Sequence, residues 1–144
     1  MPQLQDKLFR KIEKFHNKAE IYIEHEQFSN AIKEYQKAWN TLSEPKQLWE
    51  AALWIKVGQA ECLLALDEYD QAKEKLLDAI LCTGALTNPL VHLLLGICHF
   101  ELHDKQKARE EFQIAYDLEG DDIFQAGDNV YQDFFFAQAK NDQQ

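Results

Sequence analysis

SNAIKEYQKAW (residues 29–39), YDQAKEKLLDAI (69–80) and KQKAREEFQIAY (105–116) are three copies of one pattern. Each copy has an alanine, a large apolar residue four positions later and a second alanine three positions after that. Small residues let two helices approach closely, and the bulky residue fills the space between them. The pattern therefore predicts three packed helices, with the triplets Ala31–Tyr35–Ala38, Ala72–Leu76–Ala79 and Ala108–Phe112–Ala115.

A further small residue stands twelve positions before each first alanine, at Ala19, Ala60 and Gly96. That spacing predicts a first helix, a tight turn and a second helix in each copy. The chain resembles the tetratricopeptide repeat, a helix pair of about 34 residues with the pattern W-x2-L-G-x2-Y…A-x3-F…P. The matching residues are Leu95–Gly96 in the third copy and Phe15, Ala19, Tyr22 and Phe28 in the first.

The fold class that this resemblance implies is all-α, with three tetratricopeptide helix pairs in a short right-handed solenoid and a C-terminal capping helix. The predicted helices lie near 3–25, 28–42, 45–66, 69–82, 89–102 and 105–118, followed by a loop at Gly120–Gly127 and a short helix near 129–139. We expect a single domain over residues 1–144, with repeats at about 12–45, 46–88 and 89–120 and a tail at 121–144.

The second repeat is the longest, because the first alanines are 41 and then 36 residues apart. Ser43 is predicted to cap helix 45–66 and Pro45 to lie in its first turn. Asn88 and Pro89 repeat that signal before the next pair. The turn positions lack the glycine common in such repeats, so we expect strained or altered turns at Glu26, Asp67 and His103.

The net charge of −10 is spread unevenly, with 0 over residues 1–50, −3 over 51–100 and −7 over 101–144. Nucleic-acid binding is disfavoured, because phosphate contacts need a basic surface. The same acidity favours a basic protein partner. No apolar run is long enough for a membrane span, and the N-terminus has no signal-peptide core, so a cytoplasmic location is the expectation.

Neither a metal site nor a catalytic site is predicted. Cys62, Cys82 and Cys98 lack C-x-x-C spacing and are interpreted as small core residues in a reducing compartment. His99 and His103 are four residues apart on one predicted helix, but HFELH is not the H-E-x-x-H zinc motif, so they are expected to be packing or surface histidines. We therefore expect no enzyme activity, no cofactor and no small-molecule substrate.

In this repeat, as the resemblance implies, positions 2, 5, 9, 12 and 13 line a concave groove. Numbering each repeat from Ile12, Leu53 and Pro89 gives an acidic first set, a mixed second set and an almost wholly apolar third set. The sets are Glu13, His16, Glu20, Ile23 and Glu24; Trp54, Val57, Glu61, Leu64 and Ala65; and Leu90, Leu93, Ile97, Phe100 and Glu101. The acidic ligands of tetratricopeptide co-chaperones would be repelled by such a groove.

The apolar third set needs a cover, because an apolar groove facing water is an unusual exposed patch. The nearest candidate is the tail, LEGDDIFQAGDNVYQDFFF at residues 118–136, and we expect it to fold back onto the third repeat through Ile123, Phe124, Tyr131, Phe134 and Phe135. Its acids have no such structural duty and are expected to be exposed. The predicted partner-binding residues are Glu13, His16, Glu20, Glu24, Trp54, Glu61, Leu64, Phe100, Glu101, Glu119, Asp121, Asp122 and Asp128.

Two tryptophans on predicted helix 45–66 are expected to differ in role. Trp49 and Trp54 are five residues apart, so they point about 140° away from each other. Trp49 is predicted to be a core residue. Trp54 falls at a groove position and is predicted to be an aromatic anchor for a partner.

Three segments resemble one bacterial family of small tetratricopeptide proteins. They are EPKQLWEAALWI (Glu44–Ile55), CTGALTNPLVHLLLG (Cys82–Gly96) and the pair Gly120–Phe124 and Tyr131–Phe134. Family members lie beside polymorphic Rhs-type toxins delivered between competing bacteria. The resemblance implies an immunity protein that binds and neutralises a cognate toxin domain. The alternatives are a secretion chaperone that holds an apolar segment, and a generic adaptor.

Overall fold

The computed structural model describes residues 2–124 and 129–143, and Asp128 and Gly127 lie outside this part of the chain. The described residues form seven α-helices and three short 3₁₀ turns, with no β-strand. The helices are α1 (Pro2–Glu24), α2 (Phe28–Thr41), α3 (Glu50–Ala65), α4 (Tyr69–Ile80), α5 (Pro89–Glu101), α6 (Lys105–Glu119) and α7 (Asn129–Gln143). The 3₁₀ turns are Lys46–Leu48, Ala85–Thr87 and Asp121–Phe124. None of the described helices is both long and apolar enough to span a bilayer.

The chain divides into two compact units, residues 1–85 and residues 86–144. The first unit contains α1 to α4, and its helices contact each other in sequence order. Its core holds the predicted alanines of the first copy together with Tyr35, Ile55 and Cys62, all buried. Helix α1 packs against α2, α2 against α3, and α3 against α4, which is the arrangement that the two predicted helix pairs require.

The second unit contains α5, α6 and α7, and α5 packs against α6 as the third pair. Phe112 is fully buried at its centre, between Ala108 and Ala115 of the same helix. Ile123, Phe124 and Phe135 complete the buried cluster. The 3₁₀ turn at Asp121–Phe124 occupies part of the predicted loop, because Ile123 and Phe124 are drawn into this core.

Two glycines stand where a side chain of the neighbouring helix lies directly against the backbone. A Cβ atom added at Gly96 would lie 2.5 Å from Cδ1 of Phe112, and one added at Gly58 would lie 2.8 Å from Cε1 of Tyr35. Such separations are far below van der Waals contact, so only glycine fits at either position. The small-plus-large pattern predicted this for Gly96, whereas Gly58 lies outside the pattern and was missed.

The turns without glycine adopt the left-handed conformation that glycine favours. The φ angles are 58° at Glu26, 58° at Asp67 and 69° at His103. A left-handed conformation costs an L-residue about 1–2 kcal/mol, since Cβ crowds the following carbonyl oxygen. The expectation of strained turns is therefore confirmed.

Replacing Glu26 by glycine is expected to raise the free energy of unfolding by about 0.5–1 kcal/mol. The strain removed exceeds the extra entropy that glycine loses on folding. Urea unfolding followed by circular dichroism measures the change. The neighbouring Gln27 has an ordinary φ of −96°, so Gln27→Gly should give no gain. A gain at Gln27 equal to that at Glu26 would show that strain is not the cause.

One predicted helix start is wrong and another is confirmed. Helix α3 begins at Glu50, and Ser43 and Pro45 do not start it. The segment before it closes α2 instead, because the Lys46 ammonium donates to the carbonyl oxygens of Leu42 at 2.6 Å and Trp39 at 3.0 Å. Asn88 caps α5 as predicted, accepting a hydrogen bond from the Leu90 amide at 2.9 Å.

Trp49 is not a core residue, contrary to the prediction. It is 38% exposed and lies in the extended position just before α3. Its indole N–H donates to the Ser43 carbonyl oxygen at 2.8 Å, which holds the ring on the α2–α3 connection. The prediction failed because it placed Trp49 inside a helix that had not yet begun.

Candidate partner-binding surfaces

The predicted groove positions of the first unit lie on α1 and α3. The side chains that remain exposed there are acidic except for Ala65, whereas His16, Ile23, Trp54 and Leu64 are half-buried and Val57 is buried. The exposed acids are Glu13, Glu20, Glu24 and Glu61. This part of the first unit therefore offers carboxylates at its surface and aromatic or aliphatic groups beneath them.

Five side chains form what we call the aromatic–acidic cluster: His16, Glu20, Tyr35, Trp54 and Glu61. The imidazole of His16 meets the Trp54 indole edge-on, with ring centroids 4.6 Å apart, and lies 6.0 Å from the Tyr35 ring. Nε2 of His16 is 3.2 Å from Oε1 of Glu20, one helical turn further along α1. Histidine thus links the aromatic rings to the acidic surface.

Burial and neighbouring negative charge act together on Glu61 and Tyr35 in this cluster. The pKa of Glu61 is raised, first by desolvation and then by the negative charge of Glu20. Glu61 is desolvated although its side chain stays exposed, because neighbouring atoms displace part of its hydration shell. The pKa of the Tyr35 phenol is also raised, first by burial and then by Cys62, Glu20 and Glu61. The ionised cluster is therefore unfavourable for the free protein.

Glu61→Gln is expected to stabilise the free protein at neutral pH, because it removes this charge. The expected rise in Tm is only about 1–2 °C, because solvent partly screens the repulsion at an exposed side chain. Because the folded-state pKa of Glu61 lies above its unfolded value, the free energy of unfolding falls as pH rises from the unfolded-state pKa through the folded-state pKa. The gain should therefore vanish near pH 3.5, where Glu61 is protonated in both states. Thermal melts at pH 7.5 and 3.5 measure it, and an equal gain at both values would contradict this account.

Three apolar groove positions of the second unit, Leu93, Ile97 and Phe100, belong to one cluster with aromatic residues of α7, which confirms the predicted fold-back of the tail. The Phe100 ring meets Tyr131 at 5.4 Å and Phe134 at 5.0 Å, both edge-on. The Tyr131 hydroxyl donates to Oε1 of Glu101 at 2.7 Å. Phe100 and Glu101, two of the predicted partner-binding residues, are thus engaged by the chain's own helix.

The tail cover is wider than the sequence indicated. Phe136 meets the Tyr116 ring edge-on at 5.7 Å, and Phe135 lies 5.7 Å from Phe124. Phe134 meets other rings of the same core, whereas Phe135 and Phe136 both meet Tyr116 and Phe124. The sequence pattern missed Phe136, because consecutive residues on one helix point about 100° apart and only a surrounding aromatic cluster can contact all three.

A second acidic surface follows the second unit's α6. Glu119, Asp121 and Asp122 are exposed, as expected for residues without a role in the core. Gly120 permits the turn between them with a φ of 85°. Asp128, the fourth acid predicted to contact a partner here, lies outside the described residues.

The cysteines and histidines have structural positions. Cys62, Cys82 and Cys98 are buried. Burial, followed by the charge of Glu61, raises the pKa of the Cys62 thiol to about 11, so it is a poor nucleophile. In the described part of the chain, no three His, Cys, Asp or Glu side chains are grouped to hold a metal ion.

His92 is buried for a reason that the sequence did not reveal. Its Nδ1 lies 2.7 Å from Oε2 of Glu111, and its Nε2 lies 2.9 Å from the carbonyl oxygen of Leu86. Both ring nitrogens therefore have partners, which stabilises the α5–α6 pair and leaves no free nitrogen for acid–base chemistry.

No protein-family model matches the chain, and no curated protein matches it. The chain is similar to several solved structures, two of which match it over 90% of its length. One is the first tetratricopeptide domain of Spaghetti (RPAP3) bound to the HSP90 peptide SRMEEVD, with 18% identity, a TM-score of 0.72 and 94% of that chain covered. The other is PcrH in complex with the chaperone binding region of PopB, with 16% identity, a TM-score of 0.64 and 92% of that chain covered. These likenesses confirm that the chain has a tetratricopeptide-type all-α fold.

Proposed function

We propose that the chain is an immunity protein that binds a cognate bacterial toxin domain and neutralises it stoichiometrically, in the cytoplasm. The observation that carries the proposal is the contrast between the two units. The groove positions of the first unit expose Glu13, Glu20, Glu24 and Glu61, whereas α7 already covers apolar groove positions of the second. A basic protein surface is the partner that such carboxylates favour.

Similar structures support a protein as the partner, since RPAP3 is seen with an HSP90 peptide and PcrH with a region of PopB. The ligand charge is expected to differ from the RPAP3 case. The peptide SRMEEVD ends in acids, and the exposed groove positions here carry acids as well. Repulsion between them favours a cationic partner for this chain.

The test is rescue of bacterial growth. The product of the neighbouring gene, as the candidate toxin, is expressed with and without this chain, and the pair is then co-purified and its stoichiometry measured. Restored growth with a 1:1 complex is the expected result. No rescue together with no co-purification would refute the immunity function.

A secretion chaperone is the second candidate, supported by the likeness to PcrH in complex with the chaperone binding region of PopB. In that case an apolar segment of a secreted protein would occupy the groove. The aromatic contacts of α7 with Phe100 weigh against that use of the second unit, because the segment would have to displace Tyr131 and Phe134. Co-purification with a secreted protein, without protection from a toxin, would favour the chaperone.

A further inference from the structure

The aromatic–acidic cluster combines the two features by which proteins recognise organic cations. The Trp54 indole is half-buried against His16, and carboxylates of Glu20 and Glu61 lie close enough for the charge of one to raise the pKa of the other. Aromatic faces attract cations through their quadrupole, and carboxylates accept hydrogen bonds from N–H groups. A solvated acidic helix face would not bring these rings and carboxylates together.

Several polar groups of the cluster have incomplete partners. Within the described residues, neither Glu20 nor Glu61 forms an ion pair with a lysine or arginine, and the one ion pair of Glu20 is with His16. Nδ1 of His16 is shielded from water and has no hydrogen-bond partner there. The free protein thus holds negative charge without the cation that would satisfy it.

We propose that this cluster is the subsite for one arginine side chain of the protein partner, with the guanidinium against Trp54 and its N–H groups directed to Glu20 and Glu61. The inference rests on the proposed function in one respect, which is that the cation belongs to a protein partner. A guanidinium fits better than an ammonium, because it is planar, stacks on an indole and presents a fork of donors to two carboxylates.

The unfavourable electrostatic interactions in the free protein agree with a site that binds a cation. Glu20 and Glu61 repel each other, and burial of Tyr35 next to them adds to the cost. A bound guanidinium would reverse the sign of this interaction, because each carboxylate would then face a positive charge. The destabilising charges are thereby explained as part of recognition.

The experiment uses the full chain and the peptide acetyl-Gly-Arg-Gly-amide, with acetyl-Gly-Gln-Gly-amide as the neutral comparison. NMR titration follows the Trp54 indole N–H, assigned with the W54F variant, and the His16 ring. We expect saturable shifts of both signals with the arginine peptide, at a dissociation constant of about 1–10 mM for one subsite, and none with the glutamine peptide. The double variant E20Q/E61Q should weaken binding at least about tenfold.

A matched control separates local contact from overall charge. Glu74 is exposed on α4, and E74Q should leave the arginine-peptide affinity within about twofold of wild type, since screening limits distant charges. Shifts that do not saturate, or an equal loss in E74Q and E20Q/E61Q, would overturn the subsite. Because a toxin can bind without this subsite, and a peptide without any toxin, the peptide titration and the growth-rescue test fail independently.

Discussion

Gly96→Ala is expected to lower the free energy of unfolding by about 2 kcal/mol. The added Cβ would lie 2.5 Å from Cδ1 of Phe112, which is itself fully buried and cannot move into solvent. Overpacking of this kind costs about 3 kcal/mol, and the better helix propensity of alanine offsets about 1 kcal/mol of that. Urea unfolding followed by far-ultraviolet circular dichroism measures the difference.

A double-mutant cycle identifies the cause. Phe112→Leu alone should cost about 1 kcal/mol, because it leaves a small cavity. In the double variant G96A/F112L the space left by the smaller leucine side chain accommodates the new methyl group. The loss in the double variant should therefore be smaller than the sum of the two single losses by about 1 kcal/mol or more. Additive losses would mean that Gly96 is needed for some reason other than the approach of α5 to α6.

The repeat pattern predicted this contact because both partners belong to it. Every copy of the repeat has a small residue at the position of Gly96 and a large one at the position of Phe112. Local spacing alone therefore pairs α5 with α6. The same reasoning gave all six repeat helices to within a few residues, apart from the start of α3. Periodicity indicates which face of a helix is buried, and three agreeing copies give that indication independently.

The repeat pattern does not indicate contacts between different repeats. Gly58 fits under the ring of Tyr35, which belongs to the preceding helix pair, and no equivalent glycine occurs in the other copies. The Ser43–Pro45 signal misled for a related reason. A cap followed by proline is a local pattern, but the hydrogen bonds of Lys46 to α2 and of Trp49 to Ser43 decide what the segment does.

The candidate site was partly accessible from the sequence. Groove numbering selected His16, Glu20, Trp54 and Glu61, and the structure brings these four together on the first unit. It could not select Tyr35, because that residue was already explained as the bulky member of the core triplet. A buried ring beside His16, with acids near enough to raise the pKa of its phenol, becomes visible only once α2 is placed beside α1.

The double variant E20K/E24K is expected to weaken binding of the cognate toxin domain about 100-fold and to lower its association rate about tenfold. Both carboxylates are exposed on α1 at groove positions, so reversal replaces attraction to a basic surface by repulsion. Stopped-flow mixing at several salt concentrations gives the rates. The dependence of the association rate on salt should also become weaker, because fewer opposite charges are left to screen.

The control must change the net charge by the same amount at another place. Glu74 on α4 and Glu110 on α6 are both exposed, so E74K/E110K reverses two glutamates without touching the predicted groove. It should slow association by no more than about twofold, since it alters only the long-range field. Equal losses in the two variants would place the partner elsewhere. Reversal of Glu119, Asp121 and Asp122 would then show whether the partner binds at the end of α6.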